Sequence, residues 1–225
     1  MKGFGSAVST LFLSLGTIAV ASASCDPSTL NTTSYLYDIT EETTVFEVAR
    51  KTNRGVCDIG RHNLMADVTI PPNIGEVFII PGETCTPDNE SCLIKDVGRT
   101  RTCIYGGPRL YYTVKGDTYE KIALRLNITT ESLSGGQSAN ETLPVGQFIK
   151  VPECSPSQCI IQPYSFEWGV YKDLADKYGT TVGQIMMLSP TYNYSSLAFS
   201  NGGTAPPIDL PINCTALSSN ITVIS

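Results

Sequence analysis

The sequence predicts an α+β chain of three small βααβ modules in tandem, stapled by disulfides. Three observations lead there. One is the stretch Tyr112-Thr113-Val114-Lys115-Gly116-Asp117-Thr118-Tyr119-Glu120-Lys121-Ile122-Ala123, where period-two alternation passes through a glycine into a helical pattern. The second is that this order of features occurs three times in the 225 residues. The third is a set of eight cysteines, most of them at the borders of the copies.

Residues 1–23 read as a signal peptide. Lys2 supplies the positive start, Leu11 to Val20 a short apolar run, and Ala21-Ser22-Ala23 a small-residue cleavage pattern. No later run reaches about 18 apolar residues, so no membrane partner is expected. The 213–225 tail is short and polar-interrupted, unlike a lipid-anchor signal. A secreted, extracellular protein is predicted. All of Cys25, Cys57, Cys85, Cys92, Cys103, Cys154, Cys159 and Cys214 follow the leader, which in an oxidising compartment reads as four disulfides. Sequons at Asn31, Asn89, Asn127, Asn140, Asn193, Asn213 and Asn220 fit a glycosylating secretory pathway.

The chain carries 15 Lys plus Arg against 21 Asp plus Glu, a net charge of −6. With no basic run and no aromatic-basic stripe, nucleic acid is a poor partner and a neutral ligand is compatible.

The modules follow from self-comparison. Module 2, residues 111–153, opens on the strand of Tyr112 and Val114 and turns at Gly116. Asp117 is placed to cap a helix bearing Ile122 and Leu126, and the module closes on Leu143-Pro144-Val145-Gly146-Gln147-Phe148-Ile149-Lys150-Val151-Pro152. Module 3, residues 163–212, aligns Tyr164 with Tyr112, Phe166 with Val114, Leu174-Ala175 with Ile122-Ala123, and Ile185 with Leu133, closing near Ile208-Asp209-Leu210-Pro211. Module 1, residues 35–82, is divergent. Tyr37 and Ile39 stand for the strand, Thr43-Thr44 for the turn, Val48-Ala49 for the helix and Ile59 for the second helix, with Gly75 to Pro81 closing.

Cysteine-containing linkers, 83–110 and 154–162, separate the modules. The longer one could let module 1 reach elsewhere. Cys85, Cys154 and Cys214 follow closing strands, while Cys25, Cys103 and Cys159 precede opening ones. Staples at module borders are expected, because modules of about 40–50 residues bury little core. The pairing stays open.

Metal, cofactor and catalysis are not predicted. His62 is the sole histidine, and neither Cys85 with Cys92 nor Cys154 with Cys159 has a partner ligand set. No Gly-x-Ser-x-Gly context occurs, and so small a module leaves no cleft for two carboxylates about 5–10 Å apart.

Tyr-x-Val-x-Gly-Asp-Thr-x-x-x-Ile-Ala followed by Leu-x-Val-Gly-Gln-x-Ile-x-Val-Pro resembles the LysM motif. Module 2 matches closely, and module 3 matches through Tyr178-Gly179-Thr180-Thr181-Val182-Gly183-Gln184-Ile185. Module 1 has Thr40-Glu41-Glu42-Thr43-Thr44 where Gly-Asp-Thr would stand. A secreted, cysteine-rich chain of this kind resembles the fungal LysM effectors. The resemblance implies two helices on one face of a two-stranded antiparallel sheet. It also implies a lectin for chitin and chito-oligosaccharides that shields hyphae from chitinases or hides fragments from host immune receptors. A wall-assembly protein or a peptidoglycan binder is the alternative.

In the family, the strand-to-helix and helix-to-strand loops form the groove. Carried over, these are Thr43, Thr44, Val45 with Asn63, Leu64, Met65, Ala66, Asp67 in module 1. In module 2 they are Gly116, Asp117, Thr118, Tyr119 with Gln137, Ser138, Ala139, Asn140. In module 3 they are Trp168, Gly169, Val170, Tyr171 with Ser189, Pro190, Thr191, Tyr192. Module 3 lacks the aspartate and hydroxyl of Gly-Asp-Thr, and a glycan at Asn140 would stand beside the second groove. Two modules gripping one chain, within a molecule or bridging two, would gain by effective concentration, so a composite groove and a ligand-bridged or homo-oligomeric assembly are expected. Plainer roles compete: Asp117 as a helix cap, Trp168 as a packing residue, and Tyr35, Tyr37, Tyr112, Tyr164, Met65, Met186 and Met187 as core or groove-edge filler.

Overall fold

The computed structural model describes residues 25–99, 103–106, 108–190 and 206–216. The leader 1–23, Thr191, Tyr192, the sequons at Asn193 and Asn220, and tail residues 217–225 lie outside the described residues.

Tyr35–Asp38 (β1) pairs antiparallel with Val77–Ile80 (β2), Tyr35 opposite Ile80. Between them run Val45–Thr52 (α1) and Val56–His62 (α2). Thr44 starts α1 with a reciprocal cap. Its hydroxyl accepts from the Glu47 N–H at 3.1 Å, and the Glu47 carboxylate accepts from the Thr44 N–H at 2.9 Å. Cys103–Ile104 (β3) leads into the second unit, Leu110–Tyr112 (β4), Tyr119–Leu126 (α3), Thr130–Ser134 (α4) and Phe148–Lys150 (β5). β4 pairs with β5, and β3 pairs outside them with Glu153–Cys154 (β6). The third unit is Gln158–Tyr164 (β7), Tyr171–Tyr178 (α5), Val182–Leu188 (α6) and Ile208–Thr215 (β8), with β7 antiparallel to β8.

Three disulfides close the units where their strands end: Cys25–Cys85, Cys103–Cys154 and Cys159–Cys214. The fourth, Cys57–Cys92, ties α2 to the segment that follows the first unit.

That segment does not free the first unit to reach elsewhere, which corrects the expectation drawn from its length. One core combines Leu64 and Ile70 of unit 1, Tyr111, Ile122 and Leu126 of unit 2, and Phe166, Ile185 and Leu210 of unit 3. A second, inside unit 1, also takes in Val170 of unit 3. Helices α3 and α6 meet at Gly183, where an added Cβ would stand 2.6 Å from Leu126 Cγ, so only glycine permits the approach.

Two arginines lock these seams. Arg125 on α3 is buried; its Nε donates to Asp67 Oδ2 of unit 1 at 2.6 Å, and its Nη1 donates to Asp117 Oδ1 and, at 3.0 Å, to the Tyr111 hydroxyl. Arg61 on α2 donates twice to the Asp173 carboxylate of α5, at 3.0 and 2.8 Å, and at 2.8 Å to Asp88. Burial alone would raise the Asp67 carboxyl, but Arg125 beside it and the hydrogen bonds from Thr69 together outweigh this and hold it below the ordinary 3.8. A depressed carboxylate stabilises the fold above its unfolded pKa and loses that contribution as pH falls through the folded one. Thermal stability is therefore expected to be flat above about pH 5 and to fall below about pH 4. Melting curves across that range check it, and the decline should flatten in an Asp67→Asn variant.

Candidate functional site

The open groove lies in unit 2. Gly116 turns the chain after β4 with φ +79°, and Gly146 turns it before β5 with φ +85°. Thr118, not Asp117, caps α3: its hydroxyl accepts from the Lys121 N–H at 3.2 Å. Asp117 is fully buried, accepting from the Val114 N–H at 2.8 Å while paired with Arg125. Its place at the loop therefore comes from this buried pair within unit 2, which Asp67 of unit 1 joins through Arg125, and this corrects its reading as a helix cap.

Two backbone bonds hold the two loops against each other. The Leu143 N–H donates to the Asp117 carbonyl at 2.8 Å, and the Glu120 N–H to the Ala139 carbonyl at 3.0 Å. Thr113 fixes the closing turn, its hydroxyl donating to the Pro144 carbonyl at 2.7 Å and accepting from the Gln147 N–H at 2.8 Å. Between the loops opens a groove of about 330 Å³ lined by Tyr119, Gln137, Ser138, Glu141, Thr142, Leu143, Pro144 and Gln147. The Tyr119 hydroxyl donates to Gln137 Oε1 at 2.6 Å, presenting an aromatic ring and an amide on one wall. Glu141 is the one charged residue among the described residues that line it. Such a surface offers amide and hydroxyl partners to a neutral polar ligand and an apolar edge to a methyl group.

The sequence-predicted residues of the other units are placed differently. In unit 1, Thr44 is exposed and Thr43 half-buried, but Val45 is buried. Asn63, Leu64, Met65, Ala66 and Asp67 are all buried, so this loop offers no side chain there to a ligand. Asn63 joins α2 to β2: its amide donates to the Ile59 and Ile79 carbonyls at 2.8 Å and accepts from the Ile79 N–H at 2.7 Å. Leu64, Ala66 and Asp67 serve the seams. In unit 3, Gly169, Val170 and Tyr171 are buried, and the Gly169 N–H donates to the Arg61 carbonyl at 3.2 Å. Ser189 and Pro190 are half-buried; the Ser189 carbonyl accepts from the Tyr171 hydroxyl at 3.1 Å and its hydroxyl from the Asp209 N–H at 3.0 Å. Trp168 is different. It is 61% exposed, with the Arg61 guanidinium 5.7 Å from its ring centre, at the seam of units 1 and 3.

A larger groove of about 600 Å³ runs between units 2 and 3, walled largely by apolar residues including Leu110, Phe148, Ile161 and Leu188. None of the predicted loop residues among those described lines it. Among the described residues no group of three or more His, Cys, Asp and Glu side chains is placed to hold a metal. Glu141, Thr142, Leu143, Pro144 and Gln147 are groove residues the loop assignment did not include. Leu143, Pro144 and Gln147 belong to the closing stretch that begins three residues beyond Asn140, the last loop residue chosen, and Glu141 and Thr142 fill the gap between.

The fold of unit 2 and its two-loop groove define a LysM-domain protein, and the LysM domain family matches residues 111–152. The chain is 46% identical over 205 residues to the Secreted LysM effector LysM13 of Penicillium expansum, covering 88% of this chain and 87% of that protein. It is 36% identical over 172 residues to the Secreted LysM effector ECP6 of Passalora fulva, covering 74% and 75%. It is 39% identical over 116 residues to the Secreted LysM effector ELP2 of Colletotrichum higginsianum, covering 49% and 62%. The chain belongs to the family of secreted LysM effectors.

Proposed function

We propose that the protein is a secreted, non-enzymatic lectin for chitin and chito-oligosaccharides, acting as an effector that shields hyphal chitin or sequesters its fragments. The observation that carries this reading is the polar two-loop groove of unit 2, lined by Tyr119, Gln137 and the Pro144–Gln147 turn with Glu141 as its one charged residue among those described. The N-acetyl group of each sugar supplies both an amide for such partners and a methyl for the Leu143–Pro144 edge. All three βααβ units are read as LysM modules, since the order of elements and the antiparallel strand pairing repeat in each.

In protein without a glycan on Asn140, Tyr119→Ala is expected to weaken chitotetraose binding about tenfold, ~1.4 kcal/mol, while leaving the fold intact. Titration calorimetry beside a melting curve checks both parts. Unchanged affinity would remove this groove from the reading.

Cooperation of two modules in a composite site belongs to the same proposal. Trp168 supports it, being an exposed aromatic at the seam of units 1 and 3 and the sole tryptophan of the chain. Its fluorescence is expected to shift to shorter wavelength with chitohexaose and to stay unchanged with cellohexaose.

A further inference from the structure

The sequon Asn140-Glu141-Thr142 is built into the wall of the unit 2 groove. Ala139, just before it, accepts from the Glu120 N–H at 3.0 Å, and Leu143, just after it, donates to the Asp117 carbonyl at 2.8 Å. The three sequon residues therefore span two backbone clamps to the opposite loop and cannot swing away as a unit. Glu141 and Thr142 line the groove, and Asn140 between them and Ser138 is exposed. Asn140 itself does not line the groove, but Ser138, Glu141 and Thr142 beside it do, whereas neither Asn31, Asn89, Asn127 and Asn213 nor their sequence neighbours line it. An N-linked glycan begins with two β1,4-linked N-acetylglucosamines, the repeat that chitin is made of. A chain attached to Asn140 thus brings the groove's own ligand chemistry to its rim.

We propose that a glycan on Asn140 gates this groove in cis, its first sugars standing in the mouth and competing with free chito-oligosaccharide. The gate rests on the reading of the groove as an N-acetylglucosamine site. A short tether holds its end at an effective concentration of about millimolar, so a free oligomer at micromolar concentration must compete against a large local excess. Glycosylation then sets which unit carries soluble-ligand binding: unit 2 is closed when Asn140 is modified and open when it is not. Removal of the glycan is expected to tighten chitotetraose binding at unit 2 about tenfold.

The test uses protein secreted from a eukaryotic host, with glycan occupancy at Asn140 read by peptide mass spectrometry. Calorimetry with chitotetraose then compares wild type, enzymatically deglycosylated wild type, Asn140→Gln, and Asn31→Gln as a sequon control. The gate predicts an occupied Asn140, tighter binding or one more site in the deglycosylated protein and in Asn140→Gln, and no change in Asn31→Gln. The deglycosylated wild type guards against a perturbed wall in the variant. An unmodified Asn140 in the secreted protein overturns the gate, and so does equal binding by all forms. Absence of chitotetraose binding in every form overturns the reading of the groove itself, and the gate with it.

Discussion

Replacing Arg125 with alanine should destabilise the protein by about 3–5 kcal/mol, the cost of leaving buried charges without a partner. The guanidinium is the shared donor for Asp67 of unit 1, Asp117 of the unit 2 loop and the Tyr111 hydroxyl, and both carboxylates are buried. Deleting it strands two acids in the place where the three units meet. In a protein of this length the melting temperature should fall by about 10 °C. The same change should loosen the groove, because the Asp117 carbonyl anchors the Leu143 N–H at 2.8 Å. A second substitution separates charge from packing: Asp67→Leu added to Arg125→Met removes one stranded acid and should recover part of the loss. A drop below about 2 °C in Arg125→Ala would mean that the seam carries no such coupling.

The second large effect is expected from the disulfide Cys103–Cys154. Its closed loop spans 51 residues, for which chain entropy gives about 4 kcal/mol. The unit it closes has paired strands of three residues each, β4 and β5, and a helix α4 of five. Sheets and helices so short have little intrinsic stability, so the staple carries a large share of the order. A paired Cys103→Ser and Cys154→Ser variant should unfold at lower urea and bind chitotetraose poorly below its transition. Retained stability within about 1 kcal/mol of wild type would show that packing on units 1 and 3 suffices to order unit 2.

The sequence carried the local structure well and the assembly poorly. Tyr112 and Tyr164, aligned by self-comparison, each end an opening strand, and Ile122-Ala123 and Leu174-Ala175 are buried alike. These features repeat because every unit must bury the same helix face on its own two strands. The disulfides likewise fell where strands end, apart from Cys57, whose partner lies in the following segment. The seams left no periodic trace. In a linear reading Asp67 and Asp117 are loop residues of the groove, Asp117 also a helix cap, and only the structure shows both carboxylates buried on Arg125, which joins unit 1 to unit 2.

The same cause explains the misplaced site residues. Asn63 to Asp67 and Gly169 to Tyr171 occupy the loop positions carried over from the family, and here neighbouring units or the unit's own strands cover them. Of the unit 2 loop residues carried over from the family, Tyr119, Gln137 and Ser138 line the groove.

The most direct measurement is titration calorimetry of the glycosylated, secreted protein with chitohexaose, beside a cellohexaose control that lacks the acetamido groups. Saturable heat with chitohexaose alone is the predicted result, and its stoichiometry reports whether units bind singly or together. Equal heat with both sugars, or none with either, would contradict an N-acetyl-reading lectin.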